Sequence, residues 1–281
     1  MDWDGKSQLK VVSAENIDGK LSWAPDGKRI AFTRRGLADV KEPDYTGGKH
    51  KLYDIFIAYL DSAIARNTNW WFRLTGEMGG RFPEWTNDGS KVIFTNDFSA
   101  NKINATIANY QTCAVDTAGG PFKAFRSDYH NSDVNILMPT LGPNNQCAFV
   151  FFKGFNPVGI SIADLNKPTL SEKEFGKTLP LLPGGTAPAW SPDGKWIAYV
   201  DADLSRQGIY LINPSLTEKY LVYKPAVGQN MQTYPLSWSP DSKWITFGTS
   251  DGSLWIIDIT GNGLKQIVGP GLNMAPAWSK N

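Results

Sequence analysis

One twelve-residue stretch returns along the chain often enough to dictate how it folds. Leu21-Ser-Trp-Ala-Pro-Asp-Gly-Lys-Arg-Ile-Ala-Phe32 recurs as Pro83-Glu-Trp-Thr-Asn-Asp-Gly-Ser-Lys-Val-Ile-Phe94, as Pro188-Ala-Trp-Ser-Pro-Asp-Gly-Lys-Trp-Ile-Ala-Tyr199 and as Leu236-Ser-Trp-Ser-Pro-Asp-Ser-Lys-Trp-Ile-Thr-Phe247. A degenerate copy, Pro139-Thr-Leu-Gly-Pro-Asn-Asn-Gln-Cys-Ala-Phe149, fits if its turn is one residue shorter, and a sixth start, Pro276-Ala-Trp-Ser279, stands close to the last residue. Trp23, Trp85, Leu141, Trp190, Trp238 and Trp278 therefore mark a repeat of roughly 40 to 60 residues.

Each copy has a physical reading. The Trp ends a short strand, and Pro-Asp-Gly makes a tight turn: Pro presets φ, Asp bonds its own backbone, and Gly takes φ > 0. A strand rich in β-branched and aromatic residues follows, such as Trp196-Ile-Ala-Tyr-Val200, and then a third, such as Tyr53-Asp-Ile-Phe-Ile-Ala-Tyr59 or Leu254-Trp-Ile-Ile-Asp258. A shorter fourth strand closes the unit, as in Trp71-Phe-Arg-Leu-Thr75 or Lys265-Gln-Ile-Val268. Four antiparallel strands per repeat, with no helical period between them, describe a propeller blade, and stacked blades bury the faces that one alone would expose. The expectation is an all-β, six-bladed β-propeller occupying residues 1–281 as one domain, with blades beginning near 21, 83, 139, 188, 236 and 276.

The Pro-x-Trp-Ser-Pro-Asp-Gly-Lys-x-Ile-Ala-Phe pattern resembles the PD40 repeat of the TolB-like propellers. Met1 to Val12 is similar to a third-to-fourth strand junction of such a blade, and Pro276-Ala-Trp-Ser279 to the C-terminal ending of that family. The resemblance implies a sixth blade shared between the two ends, with an inner strand near 274–279 and an outer strand near 9–12. Its two middle strands are unaccounted for. Either residues upstream supply them, or the N-terminal segment slides inward, or a partner donates a strand. The resemblance also implies a periplasmic or secreted setting. The N-terminus carries neither a basic nor an apolar leader segment, which suits a mature or trimmed chain and equally a cytoplasmic one.

Composition excludes several classes. Lys and Arg number 28 against 27 Asp and Glu, so no global field draws the chain to nucleic acid or to an anionic membrane. No apolar run reaches the roughly 18 residues of a membrane helix, so no membrane insertion is expected. The two cysteines, Cys113 and Cys147, form no metal-ligand spacing and read as buried strand residues, with a disulfide between neighbouring sheets as the alternative. The Asp-Gly pairs at Asp26, Asp88, Asp193 and Asp251 read as turn chemistry rather than calcium loops.

Binding residues are sought in the insertions. Loops after second and fourth strands share one face, and there the chain places residues 34–51, with Asp44, Tyr45 and His50, and residues 127–133, with Asp128, Tyr129, His130 and Asp133. Both histidines of the protein lie in these loops. Trp70, at a loop-to-strand boundary, is the aromatic best placed to anchor a protein or sugar. No cofactor, metal site or catalytic residue is marked out: there is no Gly-x-Ser-x-Gly motif, and two histidines match poorly the several that hold the metal of oligogalacturonate lyases. The leading expectation is a non-catalytic module that holds a protein partner on its loop-rich face or in its central channel. The alternatives are a carbohydrate-binding or carbohydrate-active propeller of lyase or glycosidase type, and a structural part of a larger chain.

Overall fold

The computed structural model describes residues 17–35, 53–61, 71–76, 80–97, 110–121, 123–124, 134–153, 156–165, 181–201, 203–231, 236–271 and 275–279. Among them run five four-stranded antiparallel sheets, each made of consecutive strands paired in chain order. The first blade is β1 (Ile17–Trp23), β2 (Arg29–Arg35), β3 (Tyr53–Tyr59) and β4 (Trp71–Arg73). The second is β5 (Arg81–Trp85), β6 (Lys91–Asp97), β7 (Tyr110–Asp116) and β8 (Lys123–Ala124). The third is β9 (Val134–Leu141), β10 (Gln146–Lys153), β11 (Asn156–Asp164) and β12 (Leu181–Pro183). The fourth is β13 (Gly185–Trp190), β14 (Ile197–Asp201), β15 (Gly208–Ile212) and β16 (Lys219–Tyr223). The fifth is β17 (Ser237–Trp238), β18 (Trp244–Gly248), β19 (Leu254–Asp258) and β20 (Lys265–Val268).

The repeated turn folds as its chemistry requires. Gly27, Gly89 and Gly194 all take positive φ, and Ser242 takes φ 59° where the fifth blade has Ser in place of Gly. The amides of these four residues close the turn on Ala24, Thr86, Ser191 and Ser239 at 2.9–3.0 Å. The Asp carboxylates accept bonds from the amides two residues on, at Lys28, Ser90, Lys195 and Lys243. In the third blade, where Leu141 replaces Trp, a short 3-10 turn over Pro143–Asn145 does the same job, with Asn144 and Asn145 at φ 57° and 58°.

The largest cores lie between blades. Ile55, Ile57, Trp85, Val92 and Phe94 pack together between the first two blades, and Val200, Leu211, Trp238, Ile245 and Ile257 between the last two. Trp85 is fully buried. Cys113 and Cys147 are buried and free, so the disulfide alternative does not hold. Desolvation pushes the Cys113 thiol above its ordinary range and that of Cys147 up to about 12.

Neighbouring blades are stitched at one repeat position. The Trp85 amide donates to the Ser22 hydroxyl at 3.3 Å, and its indole to the Ser22 carbonyl at 3.1 Å. The Trp190 amide donates to Thr140 Oγ1, and the Trp238 indole to the Ala189 carbonyl. In each case the Trp of one blade reaches the residue standing just before the Trp position of the blade that precedes it.

The segment 275–279 obeys the same rule on both sides. The Trp278 amide donates to the Ser237 hydroxyl at 3.0 Å, and the Trp23 indole donates to the Ala277 carbonyl at 3.4 Å. Its backbone carries the same signature too. Phe82, Met138 and Ala187 each precede a proline and take φ 50–55°, and Ala275, before Pro276, takes φ 50°. In β5, β9 and β13 these residues sit at a break in register with the second strand, a β-bulge in the strand that lines the axis. Residues 275–279 thus occupy the inner-strand place of a sixth blade position.

The expectation of six blades is corrected in that sense. Five are four-stranded, and among the described residues the sixth is present only as this inner segment, which has no paired strand to earn a strand assignment. Residues 1–16, including the expected outer strand, lie outside the described residues.

Candidate functional site

The inner strands enclose a channel. Its described wall is built from Lys20 to Trp23, Glu84, Thr140, Ala189 with Trp190, Leu236 to Trp238, and Pro276 to Ser279, with Pro192 and Pro240 at the turns. The cavity measures about 600 Å³ counting its open mouth. Every blade position therefore contributes to one hollow, because the bulged inner strand points the same repeat positions at the axis.

Charge in that wall is concentrated in one pair. Lys20 of β1 forms an ion pair with Glu84 of β5, and its ammonium also donates to the Pro139 carbonyl of β9 at 3.4 Å. One lysine so ties three consecutive blades. The two side chains are only 11% and 17% exposed, which sets them in a medium where a hydrogen-bonded ion pair is held more strongly than at the surface. The bulge places Lys20: Gly19 takes φ 71°, and its Cα hydrogens face the Phe82 ring at the bulge of the next blade.

The opposite end of the blades bears three long connections. Residues 36–52 join β2 to β3, residues 98–109 join β6 to β7, and residues 125–133 join β8 to β9. The strand ends from which they leave are tied together. The Tyr110 amide donates to Asn135 Oδ1 at 2.7 Å, and the Arg81 guanidinium lies 3.5 Å from the centre of the Tyr53 ring. Burial first, and then the neighbouring Asp97 carboxylate, raise the Tyr110 hydroxyl above its ordinary range. The bases of all three loops therefore stand on one polar shelf spanning the first three blades.

Asp44, Tyr45, His50, Asp128, Tyr129, His130, Asp133 and Trp70 all lie outside the described residues. For all but Trp70, which precedes β4, what the structure gives is the anchorage of their loops: Tyr53 follows the first loop, and Asn135 lies just past the second. Among the described residues no group of three His, Cys, Asp or Glu side chains is placed to hold a metal ion. No helix among them is long and apolar enough to cross a membrane. Sequence reasoning did not single out Lys20 and Glu84. The signal was available, since the residue before each repeat Trp reads Ser22, Glu84, Ala189, Ser237 and Ala277, a column in which one member is charged.

No protein-family model matches the chain, and no curated protein matches it in sequence. Solved structures do. TolB from Acinetobacter baumannii superposes with a TM-score of 0.69 at 19% identity, over 99% of this chain and 61% of that one, so the chain spans about three fifths of that protein. A putative TolB from Agrobacterium tumefaciens gives a TM-score of 0.64 at 15% identity, over 96% of this chain and 88% of that one. An oligogalacturonate lyase in complex with manganese gives 0.55 at 13% identity, over 89% and 65% of the two chains. At these identities the likeness is one of fold. The repeat, the stitched inner strands and these superpositions agree: the chain is a β-propeller with the TolB-like fold.

Proposed function

We propose that this propeller is a non-catalytic interaction module that holds a protein partner through its loop-bearing face or its central channel, in the bacterial cell envelope or outside the cell. The observation that carries the reading is the anchoring of three long loops on one shelf of bonded strand ends, at Tyr53, Tyr110 and Asn135. A rigid scaffold that displays polar loops is the arrangement from which binding surfaces are made. Asp44, Tyr45, His50, Asp128, Tyr129, His130, Asp133 and Trp70 are the residues proposed to meet the partner. The likeness to two TolB structures supports the reading by analogy of fold.

The test is affinity capture with mass spectrometry, using the intact chain beside a variant with Asp44, His50, Asp128 and His130 all changed to Ala. One protein held by the first and lost by the second is the expected result. Equal capture by both would remove those loops from the site.

A second reading, a carbohydrate-active or carbohydrate-binding propeller, draws on the likeness to an oligogalacturonate lyase in complex with manganese. It expects manganese or an oligogalacturonate to raise the melting temperature, and a His130→Ala variant to lose the rise.

A further inference from the structure

We propose that Glu84 is the group by which the channel grips a cationic ligand: a lysine or arginine side chain, or a free amine. The inference deepens the reading of the propeller as a binding module and rests on it.

Lys20 and Glu84 are the charged side chains in the described wall of the channel, and they are bonded to each other. Their spare bonding capacity is unequal. An ammonium has three donors, and Lys20 commits two, to Glu84 and to the Pro139 carbonyl. A carboxylate offers about four acceptor positions, and among the described residues Lys20 is the partner that Glu84 has. The pair as a whole therefore presents mainly acceptor sites to the cavity. An incoming cation adds to the free side of the carboxylate and leaves the Lys20 contact in place. An incoming anion meets Glu84 as a like charge and finds one remaining Lys20 donor; taking more would strip Lys20 from a carboxylate at 17% exposure.

The rest of the wall favours the same sign. Trp23, Trp190, Trp238 and Trp278 all line the cavity. Trp190 and Trp238 are almost wholly buried, so the ring surface open to the cavity is that of the half-buried Trp23 and Trp278. An ammonium or guanidinium near an indole face is attracted by the ring quadrupole, more so where water is excluded. A carboxylate with open lone pairs, set in a hollow walled by indoles, is a site for a positive group.

The same indoles report occupancy. The intact chain is titrated with acetyl-Gly-Lys-Gly-amide, and with the same peptide carrying norleucine or glutamate in place of lysine, while Trp fluorescence is followed. The lysine peptide is expected to bind saturably, at least about tenfold more tightly than either counterpart. Its affinity is expected to fall as sodium chloride is raised, and to drop by about tenfold or more in Glu84→Gln. Lys20→Met, which removes the competing cation, is expected to tighten it. Equal binding of the norleucine peptide, or undiminished binding to Glu84→Gln, would overturn the proposal, and so would a lysine peptide that does not bind. Should either variant fail to fold, the peptide series and the salt series on the unaltered chain still decide. A negative result here with successful capture on the loop face would retire the channel site and leave the interaction module standing.

Discussion

The indole of Trp23 donates to the carbonyl of Ala277, 254 positions away in sequence and 3.4 Å away in space. The bond repeats what Trp85 makes to Ser22 and Trp238 to Ala189 within the body of the ring. Ring closure thus uses the ordinary joint between blades, and the terminal segment needs no special device to act as a blade's inner strand.

A chain ending at Met274 should lose that joint and the Trp278 amide bond to Ser237 together. Amide exchange is expected to quicken in β1 and in β17–β18, the strands flanking the gap, while β9–β11 across the ring keep their protection. Trp23→Phe, which preserves most of the packing and removes one hydrogen bond, should cost about 1 kcal/mol. Unchanged exchange in β1 after truncation would mean that closure lies elsewhere.

Gly142 in the degenerate third copy lies against the Trp190 ring of the next blade. A Cβ built there would come within 2.3 Å of the indole, whereas one at Gly76 would meet nothing within 4 Å. Gly142→Ala is therefore expected to destabilise by about 1–3 kcal/mol through overpacking, and Gly76→Ala to stay near neutral. Urea unfolding of the two variants compares them directly. Trp190→Ala, which empties the other side of that contact, should cost roughly 3–5 kcal/mol.

How far the sequence could be read follows from where the physics is local. Pro-Asp-Gly turns and alternating strands depend on residues a few positions apart, so five of the six expected blades, their antiparallel four-strand make-up and the turn role of Asp26, Asp88 and Asp193 were legible. Burial of Cys113 and Cys147 followed from their places in strands. The joint at Trp23 and Ala277 and the pairing of Lys20 with Glu84 depend on which blades become neighbours across the axis, and on a bulge that turns Lys20 inward. No spacing in the chain announces that bulge in the first blade, where Gly19 does the work that Phe82, Met138 and Ala187 do before a proline. The loop residues Asp44 and His130 rest on the face alone and lie outside the described residues.

Cys113 and Cys147 should be chemically silent in the folded protein. Both are fully buried, and desolvation raises both thiols, that of Cys147 to about 12. The thiolate is the reactive form, so neither should react with an aromatic disulfide reagent at pH 8 until the chain unfolds, when both should react. Reaction of one equivalent at a rate independent of denaturant would place a thiol at the surface.

Acid should loosen the repeated turns before it reaches the cores. The Asp88 carboxylate accepts from the Thr86 hydroxyl and from the Ser90 amide and hydroxyl, which draw it down to about 2. Asp241, held first by Ser239, and Asp251, held first by Thr249, are lowered in the same way. An unfolded aspartate titrates at about 3.9. A folded value below the unfolded one means the stabilisation is complete above about pH 5 and is lost as pH falls toward 2. Urea midpoints measured at pH 7, 6, 4, 3 and 2.5 should therefore be level between the first two and fall across the last three. Asp88→Asn keeps an acceptor in the turn but removes its charge. It should begin slightly less stable at pH 6 and lose less on acidification, so that the two curves approach each other near pH 2.5. Parallel curves would show that the Asp88 carboxylate titrates alike in both states, and that the turn is held by its backbone bonds alone.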